Sequence, residues 1–142
     1  MTTRRPEEIG AEAEALSRDY RLSAVREWKA ETGGLAIGYM PIYVPRERLH
    51  AQGALPVGLM GGGEDLEIIR GDAYYQSYIC HIPRSTMEMA LNGSFDVLDG
   101  MLFPAICDVI RNLSGMWQML FPGKLVHYLD LPQNFDRELG GE

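Results

Sequence analysis

Scarcity is the first thing the sequence offers. Cysteine occurs twice in 142 residues, and the two are far apart. That excludes a disulfide-stapled scaffold and a self-contained four-cysteine metal site. Basic charge is short: 13 Lys and Arg against 20 Asp and Glu leave a formal net charge of −7. Nucleic acid and anionic membrane are therefore not expected partners, because phosphate binding needs a basic face. A few local Arg or Lys side chains can still hold a phosphorylated small molecule. No run approaches the roughly 20 apolar residues of a membrane span. The start, Met1-Thr-Thr-Arg-Arg-Pro-Glu-Glu-Ile9, turns acidic where an export signal turns apolar. These absences lead us to expect a cytoplasmic protein with reduced thiols. The sequence also lacks G-x-G-x-x-G, a Gly-Lys-Ser/Thr phosphate loop, internal repeats and low-complexity segments.

What is present alternates. Ile9, Ala13, Leu16, Tyr20, Ala24 and Trp28 recur at helical spacing, predicting a helix over 7–31 that Thr32-Gly33-Gly34 stops. Leu35 to Met40 reads as a buried strand. Pro45 opens a short helix that Gly53 ends. Leu55 to Met60 reads as a second strand, followed by Gly61-Gly62-Gly63. Pro83 suits the first turn of a helix running to Leu91, with Asn92-Gly93 at its end. Val97 to Phe103 is a third strand, weakened by Asp99-Gly100. Ile106 to Phe121 is helical, and Lys124 to Leu131 is a fourth strand that Leu131-Pro132 closes. The expected fold is α/β: a Rossmann-like parallel sheet flanked by helices, with an N-terminal helical segment (1–32) and an α/β domain (33–142). In such sheets ligands bind beyond the C-terminal strand ends.

Cys80 and Cys107 each precede a predicted helix. A thiol at a helix N-terminus feels the positive end of the dipole, which favours the metal-binding thiolate. From the residues alone, two buried inert thiols, a zinc site completed from elsewhere and part of an iron–sulfur centre all stay open. Tyr74, Tyr75 and Tyr78 are either core or an apolar wall beside a redox centre. Arg84 is either a surface ion pair or a holder of negative charge. Gly61 to Glu64 is a turn or a weak phosphate cradle. His50 reads as exposed, His127 as core or edge, and Met116, Trp117 and Met119 as core or subunit contact.

Longer stretches carry more. Tyr39-Met-Pro-Ile-Tyr-Val-Pro-Arg-Glu47, Ala54-Leu-Pro-Val-Gly58, Gly71-Asp-Ala-Tyr-Tyr-Gln-Ser-Tyr-Ile-Cys-His-Ile-Pro-Arg-Ser85 and Asp99-Gly-Met-Leu-Phe-Pro-Ala-Ile-Cys-Asp-Val-Ile-Arg-Asn-Leu-Ser-Gly-Met-Trp117 resemble, in order, the benzoyl-CoA reductase and 2-hydroxyacyl-CoA dehydratase family. Within it the resemblance is greatest to the C-type (gamma) subunits of ATP-dependent reductases. It covers roughly residues 23 to 141 and implies a [4Fe–4S] cluster held by three cysteines. Cys80 and Cys107 match the first two; the third falls in the C-terminal half of a family member. The resemblance thus leads us to expect an N-terminal fragment of a longer subunit, with an incomplete site.

It further implies a homologous cluster-bearing partner subunit, ATP-hydrolysing activator subunits that carry ATP and Mg, ferredoxin as electron donor, and benzoyl-CoA as substrate. The implied reaction is dearomatisation of the ring to a cyclohexadienoyl-CoA, in anaerobic aromatic degradation. Dehydratase members often carry small polar or thiol residues where this chain has Pro41-Ile42, which favours the reductase branch. The alternatives are a 2-hydroxyacyl-CoA dehydratase subunit and a cluster-free α/β binding or assembly module. Tyr74, Tyr75, Tyr78 and Arg84 are candidates for lining the substrate pocket; no catalytic acid is assigned.

Overall fold

Apolar runs in the middle of the chain build a parallel sheet whose two inner strands, Ala36–Tyr39 and Gly100–Pro104, are buried on both faces while the outer two are partly exposed. The computed structural model describes residues 4–63 and 66–130. Its elements are helix α1 (Pro6–Ser17), α2 (Ser23–Thr32), strand β1 (Ala36–Tyr39), α3 (Arg46–Ala51), β2 (Leu55–Gly58), a 3-10 turn at Gly71–Ala73, α4 (His81–Leu91), β3 (Gly100–Pro104), α5 (Asp108–Leu120) and β4 (Leu125–Leu129). The strands run parallel in the order β2-β1-β3-β4. The expected α/β sheet with flanking helices is what forms. Leu131-Pro132 and the rest of the C-terminal stretch lie outside the described residues.

Side chains alternate between two cores. Ala36, Val57, Met101 and Phe103 face one side, where Val25 of α2, Met87 and Ala90 of α4, and Ile110, Leu113 and Trp117 of α5 close over them. Trp117 sits among Phe95, Phe103 and Phe121, with ring centroids 5.0 to 6.1 Å apart. Ile37 and Leu102 face the other side, with Val44, Leu49 and Ala54 around the short α3. Every residue of β3 is buried, so it is the central strand despite Asp99-Gly100 at its start.

Two expectations shift. The predicted single helix over 7–31 is two helices, because Leu22 takes a left-handed backbone (φ 52°). Asp19 supplies the reason: its carboxylate accepts from Ser23 Oγ (2.7 Å) and the Ala24 amide (3.0 Å), which starts α2 afresh. No residue of α1 is buried, so its apolar stripe finds no core to extend it. The third strand starts at Gly100 rather than Val97, because residues 93–97 form tight turns after α4.

The start of β3 is tied down by charge. Asp99 accepts from Lys29 Nζ (2.6 Å) and from the Ala36 amide (2.8 Å). Lys29 Nζ also donates to the Val97 carbonyl (2.9 Å), and Lys124 Nζ to those of Asp96 and Leu98 (2.7 and 2.5 Å). Burial acts to raise the Asp99 pKa. The bonds from Lys29 and Ala36, with the charges of Lys29 and Lys124, outweigh it and hold the carboxyl below its ordinary value.

Candidate functional site

Order 2-1-3-4 places the switch point of the winding between β1 and β3, and a ligand crevice beyond their C-terminal ends. Cys107 lies there, three residues after β3 ends at Pro104. It is the N-cap of α5, with extended backbone. Cys80 is the N-cap of α4. It does not directly follow a strand: residues 59–79 separate it from β2, so only Cys107 fits the simple strand-to-helix junction. Pro83 is accommodated because the first helical turn needs no amide donor. Both thiols are free and exposed. Neither cysteine side chain caps its helix, so first-turn amides point outward at a region that favours negative charge.

The loop leading into Cys80 is pinned from beneath by Glu88, a carboxylate only 7% exposed in the middle of α4. One of its oxygens accepts from three successive amides, Ile69 (2.9 Å), Arg70 (2.6 Å) and Gly71 (2.7 Å). Three such bonds satisfy a buried charge without a cation. The loop is pressed against the helix there: a Cβ on Gly71 would lie 2.5 Å from the Arg84 carbonyl. Arg84 adds a forked pair to Asp72 Oδ1 (2.8 and 2.6 Å). It also makes longer contacts with the Ser77 and Ile79 carbonyls (3.4 and 3.5 Å). Its guanidinium is thus committed to the loop that carries the tyrosines.

Tyr74 and Tyr75 border a cleft of about 680 Å³ whose other wall is Val109, Asn112 and Met116 of α5. Tyr78 is not part of that wall and is 80% exposed. Tyr75 packs its ring against the main core, yet its hydroxyl is buried and finds no hydrogen-bond partner among the described residues. Burial first, then the negative charges available at Cys107 and Cys80, push its pKa well above the ordinary tyrosine value.

The remaining candidates are placed as follows. The Gly62 amide donates to Ser85 Oγ (3.1 Å), so this part of the glycine loop is bonded to α4. Gly61 has φ +79° and faces Ser85, a position only glycine fills without strain. His50 is exposed, and His127 is exposed on the edge strand β4. Trp117 is core, whereas Met119 is exposed. Among the described residues no three His, Cys, Asp or Glu side chains gather to hold a metal, and no helix is long and apolar enough to cross a membrane. Sequence reasoning missed Glu88 and Asp72. The signal for Glu88 was an acidic residue set between Met87 and Met89 on a helix that is otherwise apolar at that point.

Comparisons with known proteins place the chain in a family. The family model for the 2-hydroxyglutaryl-CoA dehydratase D-component matches residues 41–140. The chain is 59% identical over 135 residues to the C-type subunit of benzoyl-CoA reductase from Thauera aromatica, covering 94% of this chain and 35% of that one. It is 37% identical over 108 residues to the beta subunit of (R)-2-hydroxyglutaryl-CoA dehydratase from Acidaminococcus fermentans, covering 75% and 28%. Against the beta subunit of lactoyl-CoA dehydratase from Anaerotignum propionicum the figures are 36% over 99 residues, covering 70% and 26%. The chain spans about a third of the length of these relatives, or less.

Proposed function

The chain belongs to the 2-hydroxyglutaryl-CoA dehydratase D-component family, and from that premise we propose that it is part of the C-type subunit of an ATP-dependent benzoyl-CoA reductase. The observation that carries this reading is the identity gap: 59% to a reductase subunit against 36 and 37% to dehydratase subunits. The proposed assembly is cytoplasmic. It pairs this subunit with a homologous cluster-bearing subunit and with activator subunits that hydrolyse ATP and pass on ferredoxin electrons.

The donor set fits a [4Fe–4S] cluster. Two exposed thiols stand on the N-cap residues of two helices, and neither is used as a side-chain cap, so both are free to bind iron beside first-turn amides that favour negative charge. Cys80 and Cys107 are two of its ligands, and the third cysteine lies beyond this chain. When bound, the cluster supplies single low-potential electrons to the CoA-bound ring. This chain's residues do the rest of the local work. The α4 and α5 N-termini offset the thiolate charge. Glu88 and Arg84 fix the loop 69–79. Tyr74 and Tyr75, with Val109 and Met116, present a largely apolar wall that keeps water from the ring. Tyr78, outside that wall, is available to a partner protein.

The test uses the full-length subunit assembled with its partners and handled without air. Iron and acid-labile sulfide are expected in the isolated protein, with benzoyl-CoA reduced at stoichiometric ATP cost. A colourless protein free of iron would overturn the cluster assignment. The family model itself favours a second reading, a 2-hydroxyacyl-CoA dehydratase subunit. Water loss from a 2-hydroxyacyl-CoA after a single activation, without ring reduction, would select it.

A further inference from the structure

Coenzyme A is a polyanion through its phosphates, and this chain has a formal net charge of −7. A CoA thioester therefore needs a local cation to settle beside it. Arg84 does not serve, because its guanidinium is committed to Asp72. Lys29 and Lys124 are committed at the far end of the sheet. Arg111 stands apart from these. It lines the cleft between loop 74–79 and α5, one turn past Cys107, whose carbonyl accepts from its amide (3.1 Å). Its guanidinium carbon lies over the Tyr128 ring, 6.0 Å from the centroid, a contact that holds a cation in place without neutralising it. Among the described residues no carboxylate pairs with it, and Asp108, one turn earlier on α5, forms no ion pair. The cleft is unlike the rest of so acidic a chain. Among the described residues no Asp or Glu borders it, and Arg111 is the one charged side chain that does. Gln76 and Asn112 add side-chain amides without a hydrogen-bond partner among the described residues. An anion is the charge that such a lining favours.

We propose that Arg111 binds a phosphate group of the coenzyme A portion of the substrate, through the forked guanidinium–phosphate bonds that distinguish Arg from Lys. This rests on the reading of the substrate as a CoA thioester. Tyr74 and Tyr75 wall the cleft on the loop side, and Arg111 with Tyr128 bounds it on the β4 side. The two ends of one thioester, apolar ring and phosphates, thus meet surfaces of matching chemistry. Arg111 touches no reacting atom. It is a positioning residue, whose bond is the same in the ground and transition states and so is read in KM rather than kcat.

The experiment compares Arg111→Gln with wild type in the full-length subunit, assembled with its partners without air. Two substrates are used: benzoyl-CoA and benzoyl-pantetheine, which lacks every phosphate. With benzoyl-CoA, Arg111→Gln should raise KM about tenfold at unchanged kcat, the loss of one charge-assisted bond. With benzoyl-pantetheine, variant and wild type should agree. Equal KM values for benzoyl-CoA overturn the proposal, as does a tenfold rise with both thioesters or a fall in kcat alone. Arg48→Gln removes the same charge from exposed α3, on the other face of the sheet. A rise in KM there equal to that of Arg111→Gln would make the effect one of overall charge and also overturn the proposal. Equilibrium dialysis of free CoA repeats the comparison without turnover: Arg111→Gln should bind it about tenfold more weakly, and equal binding overturns the proposal. A wild-type assembly that binds CoA but does not reduce the benzoyl ring fails the reductase reading alone, which separates the two failures.

Discussion

The two ends of the same sheet are built on opposite terms. At the N-terminal end of the strands charges are tied into the fold: Asp99 holds Lys29 and the Ala36 amide, and Lys124 closes on two carbonyls. At the C-terminal end polar groups are left over. Two free thiols stand at the starts of α4 and α5 without capping them, and the Tyr75 hydroxyl on the loop before α4 has no partner among the described residues. A fold tolerates unfinished bonding at one end only because the other end and the core supply the stability. Satisfied polar groups mark where the chain is held together, and unsatisfied ones mark where something else is to be held.

That contrast is easiest to break with the thiols. Cys107→Ser or Cys80→Ser in the full-length subunit should abolish most of the iron and all ring reduction, while leaving the stability of the metal-free protein within about 0.5 kcal/mol of wild type, as an exposed substitution should. Iron analysis and a melting curve on one preparation check both halves, and retained iron in Cys107→Ser defeats the assignment. Next comes Glu88→Ala, which strands three loop amides and should cost about 3 kcal/mol. Because the loop carries Tyr75 and leads into Cys80, this variant alone should damage both ends, read as a lower melting point together with a faster loss of iron to a chelator.

Asp99→Asn belongs to the closed end. It removes the Lys29 pair and should cost about 1 kcal/mol, a modest value because its side chain is 34% exposed and water screens the pair. Iron content should not change. The sign with pH is fixed by the lowered folded pKa: the unfolded chain binds the proton first, so the contribution is complete above the ordinary carboxylate pKa and disappears as pH falls through the depressed one. Acid denaturation curves of Asp99→Asn should accordingly be flatter in that window than those of wild type. The smallest effect is expected from Asp19→Ala, the loss of a helix start far from the cleft, at about 1 kcal/mol or less. Hydrogen exchange across Ser23–Thr32 is the sensitive probe, and protection there equal to wild type would remove Asp19 from this role.

Local chemistry made much of the fold legible. Strands declared themselves through apolar runs, and α4 through Pro83 at one end and Asn92-Gly93 at the other, where Gly93 takes φ +84°. The break at Leu22 was hidden because the apolar spacing continues across it, while the deciding interaction is one side chain folding back on the next helix. The cysteines were visible as helix-start residues, since that property is set by a few neighbours in sequence. The cleft was not, because Tyr75 and Asn112 meet only once α5 has packed beside the loop before α4.

The sequence by itself determined an α/β chain with two thiols at helix starts and too little positive charge for nucleic acid, because helix ends, strand periods and net charge depend on residues close together or on simple counts. Only the tertiary structure decided that the Tyr75 hydroxyl is enclosed without a partner among the described residues, that Glu88 is a buried anchor and that Arg84 is spent on Asp72. Each of these depends on distance through space, and the chain closes those distances by burying apolar surface, a force blind to which polar groups it brings together.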